Sequence, residues 1–259
     1  MLRASCWPGW GFHRFSSHGP ALPSAVVLLP FAGLRAAELR HFLNWRLILR
    51  TLFIVGGISC ILTALKTEPI ANVFGAFFVG PIVSNFLSVL LLKERVTWLR
   101  TVLLLVSFAG VLLVVRPGFG MTPGLALAFV AGCFHGSYLV ATRWLAGAFR
   151  PRLLLYSQLL IGAIVLSPAA AVEMPQIGAQ AAVLLALSAL GSAFGNLILV
   201  TVNRTTPASV VAPLIYSQII AATAFGWFQF GEFPDAVGVL GLIVIVAAGA
   251  GSVWFARGR

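Results

Sequence analysis

The feature that most constrains this chain is an uncharged stretch, residues 69–92, between Glu68 and Lys93. Its 24 residues would form a helix about 36 Å long at about 1.5 Å per residue. The hydrocarbon core of a bilayer is about 30 Å thick. The stretch therefore predicts a helix that can span a membrane.

A second copy of this stretch begins near Thr205. A shift of 138 residues aligns identical residues without a gap, among them Thr67 with Thr205, Pro69 with Pro207, Val73 with Val211, and Glu94 with Glu232. Each copy is followed by a few polar residues and then by another apolar segment, residues 98–115 in the first copy and 235–256 in the second. We interpret the chain as an internal duplication.

The linkers that follow the two copies differ in charge. The charges in the first linker are Lys93, Glu94, Arg95 and Arg100, whereas those in the second are Glu232 and Asp235. Because positive residues favour the cytoplasmic side, the two linkers are expected on opposite sides of the membrane. This opposition is typical of inverted-topology repeats, which occur in transporters with a site near the bilayer midplane.

The composition places the whole chain in the membrane. Hydrophobic residues make up 60% of the chain and charged residues 9%, against about 25% charged residues in soluble domains. The net charge of +11 is spread over the ends of apolar segments, which indicates membrane lipid as a partner rather than nucleic acid. The three cysteines have no metal or redox spacing, so neither a metal nor a cofactor is expected.

Apolar runs predict the other spans. They cover residues 51–65, 98–115, 117–142, 153–172, 180–203, 206–230 and 236–256, and all but 98–115, which holds Arg100, are uncharged. The run at 51–65 is long enough only if residues 47–49 join it and Arg46 and Arg50, taken as linker residues, extend outward to the membrane surface. Residues 21–34 form a short, proline-containing first candidate, with a signal peptide as the alternative. Nine candidate helices result.

Alternating placement of the linkers supports this topology. If residues 35–50 are cytoplasmic, all Lys and Arg residues except four fall on the cytoplasmic side, and the C-terminus is cytoplasmic too. The four exceptions are Arg3, Arg14, Lys66 and Arg116.

The duplicated segments resemble the EamA-type families of the drug/metabolite transporter superfamily. The resemblance rests on Pro69 with the apolar helix ending LLLKERV, on the segment GVLLVVRPG at residues 110–118, and on the degenerate second copy with Glu232. It implies an all-α membrane bundle of two inverted repeats, here with about nine transmembrane helices because the first repeat lacks its leading helix.

The resemblance also implies a division of the chain and a function. Residues 1–20 form an irregular N-terminal segment, 21–118 an incomplete first repeat, 119–256 a second repeat and 257–259 a tail. The implied function is transport of a small polar or amphipathic metabolite, such as an amino-acid derivative, vitamin or drug-like compound, across the bacterial inner membrane. Alternating access between the repeats is the expected mechanism. A truncated or non-transporting subunit is an alternative, and completion of the bundle by a homodimer is another.

Polar residues inside the spans are the candidates for substrate contacts. They are His135, Tyr138, Tyr156, Gln158, Asn196, Tyr216, Gln218, Thr223 and Asn85. Among them, His135 is the ionisable residue well inside a span, with Tyr138 on the same helical face. Hydrogen bonding between helices is the alternative role for each of them.

Other residues are assigned structural roles. The glycines Gly132, Gly136, Gly191 and Gly195 allow close helix packing. Glu94 and Glu232 are expected to pair with a linker arginine or to face the N-terminus of the next helix, and Pro69 and Pro207 begin the two copies. A lipid-modifying enzyme would need clustered acids, histidines or metal ligands. The six acids are spread over several loops and the histidines are unclustered, so no catalytic residue is predicted.

Overall fold

The computed structural model describes residues 40–68, 70–116, 120, 122–172, 179–230 and 234–257. Within these residues the regular structure is entirely helical, which confirms the prediction of an all-α protein. A 3₁₀ turn, Arg40–Leu43, precedes ten α-helices: α1 Trp45–Ala64, α2 Ile70–Phe77, α3 Gly80–Leu92, α4 Trp98–Val115, α5 Pro123–Ala146, α6 Pro151–Val172, α7 Ala179–Thr205, α8 Ala208–Ile215, α9 Gln218–Phe230 and α10 Ala236–Arg257. The candidate first helix at 21–34 lies outside the described residues.

Five segments of the described chain are long and apolar enough to cross a membrane. They are Trp45–Ala64, Asn72–Leu92, Trp98–Val115, Pro123–Ala146 and Ala236–Phe255. Many of their large apolar side chains are exposed, as expected for helices that face lipid. The chain is therefore a multi-pass membrane protein.

The helix expected at residues 69–92 is not continuous. It is divided into α2 and α3 by an interruption at Phe78 and Val79. Pro81 lies in the first turn of α3 and has no N–H group with which to continue the helical hydrogen bonds. The prediction of one uninterrupted helix was therefore wrong in this detail.

The second copy is interrupted at the matching place. The bounds of α2 and α3, shifted by 138 residues, coincide with the bounds of α8 and α9. Here the interruption falls at Tyr216 and Ser217, and Pro213 lies inside α8. The two copies thus share their local structure as well as their sequence pattern.

The helices that follow the two copies, α4 and α10, pack against each other in antiparallel directions. A Cβ at Gly110 would lie 2.9 Å from the carbonyl oxygen of Gly241, and a Cβ at Gly241 would lie 2.7 Å from that of Gly110. Leu103, earlier in α4, contacts Gly251, later in α10. Glycine is required at this crossing because the two backbones approach so closely.

Helix α5 lies against the interruption in the first copy. A Cβ at Gly132 would lie 2.6 Å from the carbonyl oxygen of Phe77, and a Cβ at Gly136 would lie 2.5 Å from that of Gly80. These two contacts fix the position of α5 relative to α2 and α3. The C-terminal half of α5 is largely buried, and Tyr138 and Thr142 are among its buried side chains.

One end of the bundle, here called the basic end, gathers the start of α1 and the ends of α3, α5 and α7. Glu94 pairs with Arg143 there (2.9 Å), and the ring of Trp45 lies 6.0 Å from that of Trp144. Arg143 and Arg204 donate hydrogen bonds to carbonyl groups of neighbouring helices. Tryptophan and basic residues at one level are typical of a membrane interface.

Candidate functional site

Arg50 lies on the buried face of α1, contrary to the prediction that it extends outward from a linker. The helix begins at Trp45 because the side chain of Asn44 accepts a hydrogen bond from the backbone N–H of Arg46 (3.0 Å). From that start, Arg50 falls on the same stripe as Leu47 and Thr51, and all three side chains are buried. The prediction failed because the cap at Asn44 was not recognised.

The guanidinium of Arg50 is fully buried and donates four hydrogen bonds. Nε donates to Oγ1 of Thr142 (2.8 Å), and Nη1 donates to the carbonyl oxygen of Leu154 (2.9 Å). Nη2 donates to the hydroxyl of Tyr138 (2.9 Å) and to Oε1 of Gln158 (3.2 Å). The guanidinium carbon also lies 4.7 Å from the centroid of the Tyr138 ring. All of these partners are electrically neutral.

The hydroxyl of Tyr138 extends this cluster to a fourth helix. It lies 2.9 Å from Oε1 of Gln158 and 2.9 Å from Oδ1 of Asn196. The cluster thus joins α1, α5, α6 and α7 through Arg50, Tyr138, Thr142, Gln158 and Asn196; we call these five residues the arginine cluster. Three of them were predicted site residues, whereas Arg50 and Thr142 were not singled out.

A chain of aromatic contacts connects the arginine cluster to the interrupted helices. The rings of His135 and Tyr138 are 6.0 Å apart, and those of His135 and Phe77 are 5.1 Å apart. Phe77 contacts Phe78 (5.8 Å), which contacts Tyr216 of the second copy (5.8 Å). A continuous path of side chains therefore runs from the buried guanidinium to both interruptions.

The two interruptions meet at equivalent residues. Tyr216 donates a hydrogen bond from its hydroxyl to the carbonyl oxygen of Phe78 (2.9 Å), and the two residues are separated by the repeat interval of 138. Both side chains belong to a buried cluster that also includes Leu104 of α4 and Ile245 of α10. The two copies are thus joined where their helices are interrupted.

The remaining candidate residues lie outside the arginine cluster. Tyr156 is buried on α6, Thr223 is half-buried and Gln218 is exposed. Asn85 is buried on α3, and its Oδ1 has no hydrogen-bond donor among the described residues. Such an oxygen could accept a hydrogen bond from a bound molecule.

The residues that were assigned structural roles occupy different environments. Gly132 and Gly136 lie at the close approach to α2 and α3, whereas a Cβ at Gly191 or Gly195 would meet no described atom within 4 Å. Pro207 precedes the first residue of α8. Pro69 and Glu232 lie outside the described residues.

The bundle end opposite the basic end carries a second ion pair. Asp235 accepts hydrogen bonds from Nη2 of Arg116 at 2.7 and 2.8 Å, and both side chains are exposed. Asp235 also accepts from the backbone N–H of Gly238 (3.0 Å), as expected at the start of a helix. The hydrogen bond from Arg116, followed by that from Gly238, lowers the pKa of the Asp235 carboxyl group.

The arginine cluster offers binding rather than redox or metal chemistry. In the described part of the chain, the histidines, cysteines and acids form no group of three that could hold a metal ion. The cluster instead brings a positive charge, a phenol and two amides together where four helices meet. Polar and ionisable groups of this kind inside a membrane mark the paths and binding sites of transported molecules.

Comparison with known proteins assigns this architecture to a family. The family model described as the EamA-like transporter family matches residues 16–116 and again 122–254. S-adenosylmethionine uptake transporters of Rickettsia prowazekii (strain Madrid E) and Rickettsia felis (strain ATCC VR-1525 / URRWXCal2) are 26% and 25% identical over 231 residues, which are 87% of this chain and 77% of each relative.

A solved crystal structure shares the fold. It aligns with a TM-score of 0.75 over 90% of this chain and 87% of the other chain, at 18% sequence identity. The family model covers both copies and most of the chain. The chain is therefore a membrane transporter rather than an enzyme, and it belongs to the EamA-like transporter family, within the drug/metabolite transporter superfamily.

Proposed function

We propose that this chain carries an amino-acid derivative across the bacterial inner membrane, with S-adenosylmethionine as the first substrate to test. The substrate is suggested by relatives that are S-adenosylmethionine uptake transporters, at about one quarter identity. The amino-acid-derivative class also agrees with the mixture of charged, polar and aromatic groups in the arginine cluster and in the aromatic chain that leads to it.

The observation that carries this proposal is the meeting of the two interrupted helices. Each interruption removes regular helical hydrogen bonds inside the apolar layer, where backbone groups are tolerated only if protein or a cavity surrounds them. Tyr216 satisfies the carbonyl group of Phe78 at this point. Interrupted helices at the junction of two repeats are the usual location of a transporter site.

The helix directions support a mechanism of alternating access between inverted repeats. Helices α4 and α10 occupy equivalent positions in the two copies and pack antiparallel, since Arg116 at the end of α4 contacts Asp235 at the start of α10. An inverted pair can expose its junction to either side when one repeat rocks against the other. The positive-inside rule places the basic end and the C-terminus in the cytoplasm.

The aromatic side chains at the junction suit a cationic or heteroaromatic substrate. Phe74 contacts Phe77 and Phe78 at ring separations of 6.3 and 6.0 Å, and Tyr216 contacts Phe78 and Phe108. Aromatic faces attract organic cations and stack with flat rings. A sulfonium group and an adenine ring combine both properties.

The proposal is tested with purified full-length chain in sealed liposomes loaded with unlabelled S-adenosylmethionine. We expect radiolabelled S-adenosylmethionine to enter by exchange faster than into protein-free liposomes. Phe78→Ala should slow the exchange strongly because Phe78 joins the two copies, whereas Phe86→Ala on the exposed face of α3 should leave it unchanged. Exchange no faster than in protein-free liposomes would reject this substrate.

A further inference from the structure

We propose that the guanidinium of Arg50 binds a carboxylate group of the transported molecule. This inference rests on the proposed transport function and narrows its substrate class to metabolites that carry a carboxylate. The positive charge of this side chain is not balanced by its hydrogen-bond partners. The four hydrogen bonds of Arg50 go to a hydroxyl, a phenol, an amide and a backbone carbonyl, so these bonds bring no negative charge to the guanidinium.

A buried cation with neutral partners is poorly compensated. Neutral acceptors replace part of the hydration that the guanidinium loses, but an anion would compensate its charge much better. Other arginines differ from it: Arg116 and Arg143 each pair with a carboxylate. Arg46, over the ring of Trp144 (4.8 Å), and Arg204, bonded to the carbonyl oxygen of Ala146, are both exposed. Arg50 is therefore fully buried, and none of its described hydrogen-bond partners carries a negative charge.

The bonds made by Nη2 can be exchanged for bonds to a ligand. The bond to Gln158 is the longest of the four, at 3.2 Å. The hydroxyl of Tyr138 has one proton, yet amide oxygens of Gln158 and Asn196 both lie 2.9 Å away. One of these amides must therefore turn or lose its bond. A carboxylate could take two parallel hydrogen bonds from the planar guanidinium, and such charge-assisted bonds are stronger than those to neutral acceptors.

The position of the cluster allows a ligand to reach it. Counted along α1, α5, α6 and α7, its members lie about 5 to 14 Å from the basic end at about 1.5 Å per residue. Asn196 is half-buried, so the side of the cluster formed by α7 is the least enclosed. The chain His135, Phe77 and Phe78 continues from Tyr138 toward the junction. A molecule whose carboxylate is held by Arg50 could thus place its apolar part along these rings.

The test compares acids with matched compounds that lack the carboxylate. The full-length protein in detergent is titrated with S-adenosylmethionine and decarboxylated S-adenosylmethionine, and separately with methionine and methioninamide. Binding is followed by the shift in the thermal unfolding midpoint. We expect at least one acid to bind about tenfold or more tightly than its partner, which is the effect expected from one to two charge-assisted hydrogen bonds.

Variants connect this preference to Arg50. Arg50→Lys keeps the charge and loses the planar fork, so the preference for the acid should fall about tenfold. The matched control Arg46→Lys makes the same change one helical turn earlier, at the exposed start of α1, and should leave the preference unchanged. Gln158→Leu removes a competing acceptor and should raise the preference severalfold, which keeps the test decisive if Arg50→Lys does not fold.

The outcomes separate this inference from the proposed function. Equal binding of acid and partner in both pairs, or an unchanged preference in Arg50→Lys and Gln158→Leu, would overturn the carboxylate site even if S-adenosylmethionine is transported. Preference for methionine over methioninamide without transport of S-adenosylmethionine would support the site and reject only that substrate.

Discussion

Two arginines of this chain, Arg50 and Arg116, have opposite environments. Arg50 is fully buried between four helices and donates hydrogen bonds to neutral groups. Arg116 is half-exposed where α4 ends and α10 begins, and it pairs with Asp235. The exposed pair connects two helix ends, and water and salt screen it, so it contributes little to stability. The buried arginine is costly for folding, and a cost of this kind is typically retained for function.

The comparison is tested most strongly by the variant Arg50→Met. Transport of a carboxylate substrate should fall at least about 100-fold, because hydrogen bonds to charged groups contribute about 1.5–3 kcal/mol each and a carboxylate can take two. Stability should remain within about 1 kcal/mol or increase, because methionine removes a buried charge and Tyr138 can still bond Asn196. Initial transport rates and unfolding midpoints measure the two effects.

Arg116→Met is the matched control. It removes the same charge from an exposed position, so transport should stay within about twofold of the unaltered protein. A loss of several kcal/mol of stability in Arg50→Met, with transport falling only in proportion to folded protein, would instead make the arginine cluster a structural hub. Arg50 and Arg116 would then differ only in how tightly they are packed, and not in function.

A smaller effect is expected when the support of the cluster is altered through Gly136→Ala. The added Cβ would lie 2.5 Å from the carbonyl oxygen of Gly80, a backbone atom that cannot move away easily. We expect a loss of about 1–3 kcal/mol in the free energy of unfolding, despite the better helix propensity of alanine. Thermal unfolding followed by circular dichroism measures it.

Gly162→Ala on α6 is the control for this glycine. Its added Cβ would make an ordinary contact, 3.5 Å from Cγ2 of Val55. Stability should therefore be unchanged or slightly higher. Equal unfolding midpoints for Gly136→Ala and Gly162→Ala would show that the close approach of α5 does not hold the cluster in place.

Sequence reasoning predicted the elements better than the contacts between them. The apolar run that begins at Trp98 predicted the start of α4 because a bilayer requires long apolar helices, whereas α5 begins at Pro123, inside the run predicted at 117–142. Pro81 and Pro213 could have predicted the interruptions. The prediction overlooked these prolines because it relied on the length of the uncharged run, and the length of a run carries no signal for a break within it.

The prediction of the site was likewise only partly correct. Tyr138, Gln158 and Asn196 were chosen as polar residues in apolar spans, and the structure brings them together. Arg50 was assigned to a linker because charge is the usual mark of a helix end in membrane proteins. Only the cap at Asn44 and the buried neighbours Leu47 and Thr51 place it inside the bundle, and the latter are known only from the packing.

Basic residues at helix ends should be replaceable without loss of transport, and Lys93→Gly tests this at the end of α3. Lys93 ends α3 in the left-handed conformation (φ 53°, ψ 31°), which disfavours residues with a Cβ. The second copy has Gly231 at the corresponding sequence position, outside the described residues. Lys93→Gly should raise stability by about 0.5–1 kcal/mol without changing transport. Lys93→Ala, which removes the charge but keeps the Cβ, should give no such gain in the unfolding midpoint.

The smallest effect is expected at the exposed pair, through the pH dependence of Asp235→Asn. The hydrogen bonds from Arg116 and Gly238 lower the pKa of the Asp235 carboxyl group below its ordinary value, which is about 3.9. A lowered folded-state pKa stabilises the protein above the unfolded-state pKa, and this contribution is lost as the pH falls through the folded-state value. The unfolding midpoint of the unaltered protein should therefore exceed that of Asp235→Asn slightly at pH 6, and the difference should shrink below about pH 4. High salt should also reduce the difference.

A difference that persists unchanged at low pH would mean that the charge of Asp235 does not contribute. Arg116 would then resemble Arg50 in relying on neutral partners.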